Sequence, residues 1–181
     1  MGIILNLHEL PRRSGEYKDY TLDFILTEPI GVAMIAVQIG RSLDISLTAT
    51  SVDEGVLIRG QILALAEGQC SRCLDPVRED IDQSFDELFE YESKAAKLSK
   101  DDVDTDEILM VKDDCIDIET PVRDAIVLAL EVNPLCSLDC LGLCPGCGER
   151  YENLPADHDH EAIDPRWSAL SDLAKKLDGK G

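Results

Sequence analysis

The sequence has few aromatic residues, no long apolar run and no leader-like start. Phe, Trp and Tyr make up 4% of the 181 residues while hydrophobic residues make up 44%, so the core must be mainly aliphatic. No segment approaches the roughly 20 apolar residues that a membrane span requires. The opening MGIILNLHELPRRSG lacks a basic stretch before its short apolar patch, unlike a secretory signal. These absences predict a cytoplasmic protein that has no membrane contact.

Positive charge is scarce as well. Lys and Arg number 17 against 37 Asp and Glu, which gives a net charge of −20. Phosphate repels such a chain at long range, and no basic patch typical of nucleic-acid-binding proteins is present. The charge therefore favours a basic protein over RNA as a partner. Folding could still gather isolated arginines into an RNA-contacting face; these are Arg72, Arg123, Arg150 and Arg166.

Negative charge is concentrated in residues 79–119, which carry 16 Asp and Glu against four Lys, a net of −12. The middle of this stretch, at about 93–107, is predicted to be a solvated surface loop, because blocks of like charge seldom pack. The second interpretation is a docking surface for a basic partner.

Alternating apolar and polar residues predict strands. Residues 43–66 alternate on both sides of the turn residues Asp53-Glu54-Gly55, which indicates a hairpin. Residues 77–89 are predicted to form a further strand. Thr120 as a cap and Pro121 at the first helical position predict a helix over 121–132. A last helix is predicted after Asp164-Pro165, with an apolar face of Trp167, Leu170, Ala174 and Leu177.

Six of the seven cysteines fall into close groups, and two histidines follow them. In a reducing compartment this clustering indicates metal binding rather than disulfides. Structural zinc takes four Cys or His donors in a tetrahedron, so eight donors suffice for two ions. The isolated Cys115 is predicted to be an ordinary buried thiol. The candidate ligands are Cys70, Cys73, Cys136, Cys140, Cys144, Cys147, His158 and His160.

Spacing alone leaves the pairing of these donors open. A zinc ribbon would join the pair Cys70/Cys73 to the pair Cys144/Cys147. The other pairing forms two sets, which we name site A and site B. Site A would consist of Cys70, Cys73, Cys136 and Cys140, and site B of Cys144, Cys147, His158 and His160. The histidines lie in the acidic run DHDHE, where a solvated loop is the alternative.

Four stretches of the chain carry a family resemblance, namely GQCSRCLDPV, TPVRDAIVLALEVNPLC, CLGLCPGCGERYEN and DPRWSAL. In this order they resemble the YceD family, the large ribosomal RNA subunit accumulation proteins. Some members of that family lack the pair that corresponds to Cys144 and Cys147 but keep the donors that correspond to site A, so the resemblance implies that site A is self-contained. Members that have this pair usually follow it with C-x-C, where this chain has His158-Asp159-His160. The resemblance implies a role in producing or stabilising large-subunit ribosomal RNA.

Together these patterns predict an α+β fold that is a mostly antiparallel sheet with a few helices and a C-terminal zinc-binding segment. Residues 1–131 would form the sheet domain, with the acidic loop and the helix at 121–132. Residues 132–181 would form the cysteine-rich zinc segment and the last helix, tied to the sheet through Cys70 and Cys73.

The predicted function is that of a non-enzymatic zinc-binding factor in ribosome biogenesis, because four protein donors leave a zinc ion no position for a catalytic water. Its expected partner is a ribosomal protein or pre-ribosomal particle, with large-subunit rRNA as a further partner and no small-molecule substrate. The alternatives are a zinc-dependent hydrolase or nucleic-acid-modifying enzyme, and a zinc-ribbon regulatory protein. Zinc deaminases need H-x-E before P-C-x-x-C, whereas His158 follows the cysteine pair and precedes His160. Acidity argues against DNA binding.

Overall fold

The computed structural model describes residues 2–91, 109–160 and 170. In this part of the chain the fold is mostly antiparallel β-sheet with one α-helix, which confirms the predicted fold class. The predicted acidic loop at 93–107 lies outside the described residues. So does the predicted last helix, apart from Leu170, which is helical and half exposed.

The predicted hairpin is the centre of the fold. Its strands are β5 (Ser42–Ser51) and β6 (Gly55–Gln69), which pair in antiparallel register from Asp44 opposite Leu63 to Ser51 opposite Val56. In β5 every second side chain is buried, since successive residues of a strand point to opposite faces.

A third long strand, β7 (Pro76–Tyr91), pairs with the whole of β6 and confirms the strand predicted at 77–89. Gly55 opposes Glu90 where the two strands approach closely: a Cβ at Gly55 would lie 2.0 Å from the carbonyl oxygen of Phe89. Only glycine fits there.

Shorter strands complete two sheets. The larger sheet adds β2 (Tyr17–Ile25) beside β5, and β4 (Ile35–Val37) and β3 (Ile30–Gly31) beyond it along β6. Strand β8 (Met110–Val111) pairs with β7 in parallel. Strands β1 (Ile4–Asn6) and β9 (Cys115–Asp117) form a separate two-stranded sheet.

The core lies on one face of the larger sheet, under the helix. It is aliphatic, as the composition predicts: Phe89 is the one aromatic residue among the fully buried side chains of the described residues. Helix α1 (Glu119–Ala129) packs on β7 and β3 and buries Val122 and Ile126 completely. The opposite face of the sheet is exposed and mostly polar, with Tyr17, Ile25 and Leu63 as exposed apolar residues on it.

The helix starts and ends earlier than its sequence indicates. The sequence predicts residues 121–132 with Thr120 as the cap, but the helix spans Glu119–Ala129 and the cap position is Ile118. The Asp117 carboxylate accepts the Glu119 backbone N–H at 3.0 Å, so the turn begins before Thr120. At the other end Leu130 is extended and 5% exposed, because it leaves the helix to enter the core.

Candidate metal centres

Site A begins in the turn that joins β6 to β7. Cys70 follows the last residue of β6, and its N–H donates to the carbonyl of Asp75 at 2.7 Å. The N–H of Leu74 donates to the carbonyl of Cys70 at 2.9 Å, and Leu74 has a left-handed φ of 62°. This tight turn holds Cys70 and Cys73 as neighbours at the end of the sheet, and both are buried.

The other two donors of site A come from the segment after α1. Ser71 N–H donates to the Pro134 carbonyl at 2.8 Å, and the Arg72 guanidinium donates to the Cys140 carbonyl at 2.8 Å. These bonds bring the segment to the turn, although the residues they join lie more than 60 positions apart in sequence. The donor atoms of Cys70, Cys73, Cys136 and Cys140 all lie within 4.8 Å of one another.

The sulfur separations of site A fit a tetrahedral metal ion. Cys70 Sγ lies 3.8 Å from Cys140 Sγ, and Cys73 Sγ lies 3.4 Å from Cys136 Sγ. A tetrahedron with zinc–sulfur bonds of about 2.3 Å has sulfurs about 3.8 Å apart. A disulfide would need a separation of about 2.05 Å, and all seven cysteines are free. Four thiol donors at these distances could hold one metal ion.

The thiols of site A do not ionise alike. Burial raises the pKa of Cys70, but the backbone N–H groups of Cys136, Arg72 and Cys73 outweigh burial and lower this pKa to about 6. The pKa of Cys73 is raised: the Asp75 N–H lowers it, but burial and the neighbouring thiols outweigh that effect. One thiolate therefore forms readily and opposes the next, so a cation is needed to hold several thiolates together.

Site B is built within one short segment. The Cys144 carbonyl accepts the N–H of Gly148 at 2.8 Å, and the Cys144 N–H donates to the Glu149 carbonyl at 2.8 Å. These two bonds close the turn that carries Cys144 and Cys147. Gly146 leaves room for a histidine, because a Cβ there would lie 2.4 Å from the His160 ring. The donor atoms of Cys144, Cys147, His158 and His160 all lie within 4.8 Å of one another.

Geometry and ionisation also fit a metal at site B. Cys147 Sγ lies 3.6 Å from His158 Nε2, and tetrahedral zinc places sulfur and nitrogen donors about 3.6 Å apart. Burial raises the pKa of Cys144, but the N–H groups of Cys147 and Gly146 and the His158 side chain lower it to about 6. Unlike site A, this group is open to solvent, since Cys147 and His160 are exposed.

Hydrogen bonds and an ion pair connect the segment of site B to the turn of site A. The N–H of Leu143, next to Cys144, donates to the Arg72 carbonyl at 3.0 Å. The Arg150 guanidinium forms an ion pair with Asp75, and this contact lowers the pKa of that carboxyl. Leu143 and Arg150 face each other in a short antiparallel bridge. The site B segment is thus attached to the turn that carries half of site A.

The structure therefore brings together the eight predicted donors in two sets of four, and it does not place Cys70 and Cys73 with Cys144 and Cys147 as a ribbon would. Cys115 lies in β9, outside both sets, and is half buried.

Sequence reasoning missed the residues that attach the two sites to each other. It treated Arg72 and Arg150 as isolated arginines, whereas they bind the Cys140 carbonyl and Asp75. The sequence offered one signal for this role: Arg72 lies between Cys70 and Cys73, and Arg150 lies three residues after Cys147. Arg123 pairs with Glu119 one helical turn away, and Arg166 lies outside the described residues.

Among the described residues, no helix has the length and apolar character that crossing a membrane would require.

Comparison with known proteins assigns the chain to a family. Residues 58–174 match the family model of the large ribosomal RNA subunit accumulation protein YceD. An uncharacterized protein of Mycobacterium tuberculosis strain H37Rv is 42% identical over 80% of this chain and 68% of its own length. The uncharacterized Bacillus subtilis protein YlbN is 28% identical over 97% of this chain and 96% of its own length. No solved structure matches. The family match includes all eight donors of site A and site B, and the chain belongs to the YceD family.

Proposed function

We propose that site A and site B each hold a structural zinc ion. The observation that carries this proposal is the convergence of eight Cys and His donors into two separate groups of four. Sulfur and imidazole donors suit zinc, whereas magnesium and calcium take oxygen donors. A Cys₄ set alone also suits iron, but the mixed Cys₂His₂ set of site B favours zinc.

Zinc at site A would act as a clasp. It would fix the β6–β7 turn to the segment after α1, which joins parts of the chain separated by the 62 residues between Cys73 and Cys136. Four protein donors leave no open coordination position for a water or substrate. The donor count therefore supports a non-enzymatic protein that works through its surfaces.

Family membership implies a role linked to the accumulation of large-subunit ribosomal RNA. We infer that the chain fulfils this role by binding a ribosomal protein or pre-ribosomal particle. Its net charge of −20 supports a basic protein partner. The arginines offer less support for direct RNA contact, because Arg72, Arg123 and Arg150 are engaged by groups of the protein itself.

Native mass spectrometry tests the metal assignment. We expect two zinc ions in the wild type, one in a variant with His158→Ala and His160→Ala, and loss of the site A ion in Cys70→Ser. Cys115→Ser is the matched control, because that thiol lies outside both sets, and it should retain two ions. Absence of bound metal in protein purified without chelator would contradict the proposal.

A cellular measurement tests the role. Deleting the gene in its host should lower the ratio of large-subunit to small-subunit rRNA, and the wild-type chain should restore that ratio. The Cys70→Ser variant should restore it poorly at equal protein level, since the clasp would be lost. An unchanged ratio in the deletion strain would refute the proposed role.

A further inference from the structure

The polar face of the larger sheet carries an unusual row of charges. The strand registers place Asp23, Asp44, Leu63 and Asp82 directly opposite one another on β2, β5, β6 and β7. Directly opposed residues point to the same side of a sheet, and all four side chains are exposed. We call this set the aspartate row.

Within the described residues no cation forms an ion pair with the aspartate row, although Arg41 lines the same depression as Asp44 and Asp82. Arg59 pairs with Asp86, and Arg41 and Arg78 both pair with Glu67, but no ion pair reaches Asp23, Asp44 or Asp82. Asp23 and Asp44 lie directly opposite each other on β2 and β5. Like charges in such a cross-strand pair lower the stability of the fold. Neutral side chains donate hydrogen bonds to two of these carboxylates, from Gln61 Nε2 to Asp82 at 2.8 Å and from Ser42 Oγ to Asp44 at 3.5 Å, but these bonds do not neutralise the charge. A local arrangement that lowers stability in this way is expected at functional surfaces.

The surroundings of the row favour long basic side chains over a single ion. Leu63 is 46% exposed and lies between Asp44 and Asp82 in an open depression of about 470 Å³. A second depression of about 380 Å³ adjoins it along the strands and includes Asp19. Lys and Arg side chains can lay their apolar stems on a leucine while their charged ends reach carboxylates.

Other occupants fit this face less well. Within the described chain only site A and site B bring their donor atoms within 4.8 Å of one another, so the aspartates do not converge on one metal ion. Nucleic acid would be repelled. The chain's own residues 92–108 are a poor occupant, because they contain six Asp and Glu against three Lys and the aspartate row would repel them.

We propose that this face, centred on the aspartate row, docks a Lys- and Arg-rich extended segment of a partner protein. The inference rests on the proposed role as a binding protein and names the surface that would perform it. Neighbouring strands lie about 4.8 Å apart, so the row spans about 14 Å, and alternate residues of an extended segment lie about 7 Å apart. Two or three basic residues of one segment can therefore face the row together.

The test uses the zinc-loaded full chain and a twelve-residue peptide in which arginine alternates with serine. The row variant carries Asp23→Asn, Asp44→Asn and Asp82→Asn. The control variant carries Asp124→Asn, Glu131→Gln and Glu152→Gln, which removes the same charge from other exposed positions. We expect the row variant to bind the peptide about tenfold more weakly, and the control variant to change by less than about twofold. Backbone amide shifts in NMR spectra should cluster on the four strands.

An equal loss of affinity in both variants, or shifts scattered over the surface, would overturn the proposal by showing diffuse attraction. Binding of single-stranded RNA at the row would overturn it as well. A peptide with glutamine in place of arginine should not bind. Metal content and the large-subunit rRNA ratio are measured on the same variants. A row variant that retains both zinc ions and fully supports rRNA accumulation would refute this surface and leave the proposed function standing.

Discussion

The cross-link that a metal ion would form at site A should contribute a large part of the stability of the fold. Replacing Cys136 and Cys140 with serine releases the segment after α1 from the β6–β7 turn, and 62 residues lie between Cys73 and Cys136. A cross-link that closes a loop of this size removes chain entropy worth about 4 kcal/mol from the unfolded state. For a chain of this length, a loss of that size should lower Tm by about 10 °C.

The assay is thermal unfolding followed by circular dichroism, with metal content measured on the same samples. The matched comparison is the variant with Cys144→Ser and Cys147→Ser. Site B closes a shorter loop, with 10 residues between Cys147 and His158, and the same relation gives about 2.7 kcal/mol for it. We therefore expect Tm to fall by about 7 °C there, which is less than at site A. Chelation of the wild type should reproduce the site A loss, and added zinc should reverse it.

The reasoning fails if the site A variant loses its metal ion while its Tm stays within about 2 °C of the wild type. That result would mean that hydrogen bonds such as the one from Ser71 to the Pro134 carbonyl hold the segment without the metal. Equal losses in the site A and site B variants would also contradict it, because they would remove the difference in loop length as the cause.

Three further substitutions test separate parts of the structure. Arg150→Ala removes the ion pair with Asp75, so Cys144 should react faster with iodoacetamide, as followed by mass spectrometry. Arg150→Lys should stay closer to the wild-type rate. Equal rates in all three proteins would contradict the attachment of the two sites. Gly146→Ala places a Cβ 2.4 Å from the His160 ring, so the bound zinc should fall from two ions to one, and retention of both would show that site B is assembled differently. Asp44→Asn relieves the repulsion with Asp23 and should raise the free energy of unfolding by about 0.2–1 kcal/mol in denaturant titrations, whereas a decrease would mean that Asp44 makes a stabilising contact.

Local patterns were sufficient to predict much of the fold. The hairpin of β5 and β6 was readable because alternation and turn residues lie within a single stretch of sequence. The grouping of the donors was less accessible, since spacing fits both a ribbon and two sets, and the resemblance to relatives favoured the pairing that the structure contains. The helix ends were misjudged because the burial of Leu130 and the Asp117 carboxylate determine them, and both depend on the tertiary fold.

Long-range contacts were not readable from the sequence. Arg150 and Asp75 are separated by 75 positions, so no local pattern joins them. The aspartate row depends on the register of four strands, and its ends, Asp23 and Asp82, come from strands that do not pair with each other. Negative charge was visible in the composition, but its placement opposite Leu63 on one face required the structure.

Zinc K-edge X-ray absorption on the purified protein tests the central claim most directly, namely that the thiols and histidines of this chain enclose two metal ions. Six sulfur and two nitrogen donors shared by two ions average three sulfurs and one nitrogen per ion. The account predicts that ratio, with sulfur at about 2.3 Å and nitrogen at about 2.0 Å, and no bound water. A first shell rich in oxygen, or a protein that carries no metal while all its cysteines react freely, would contradict it.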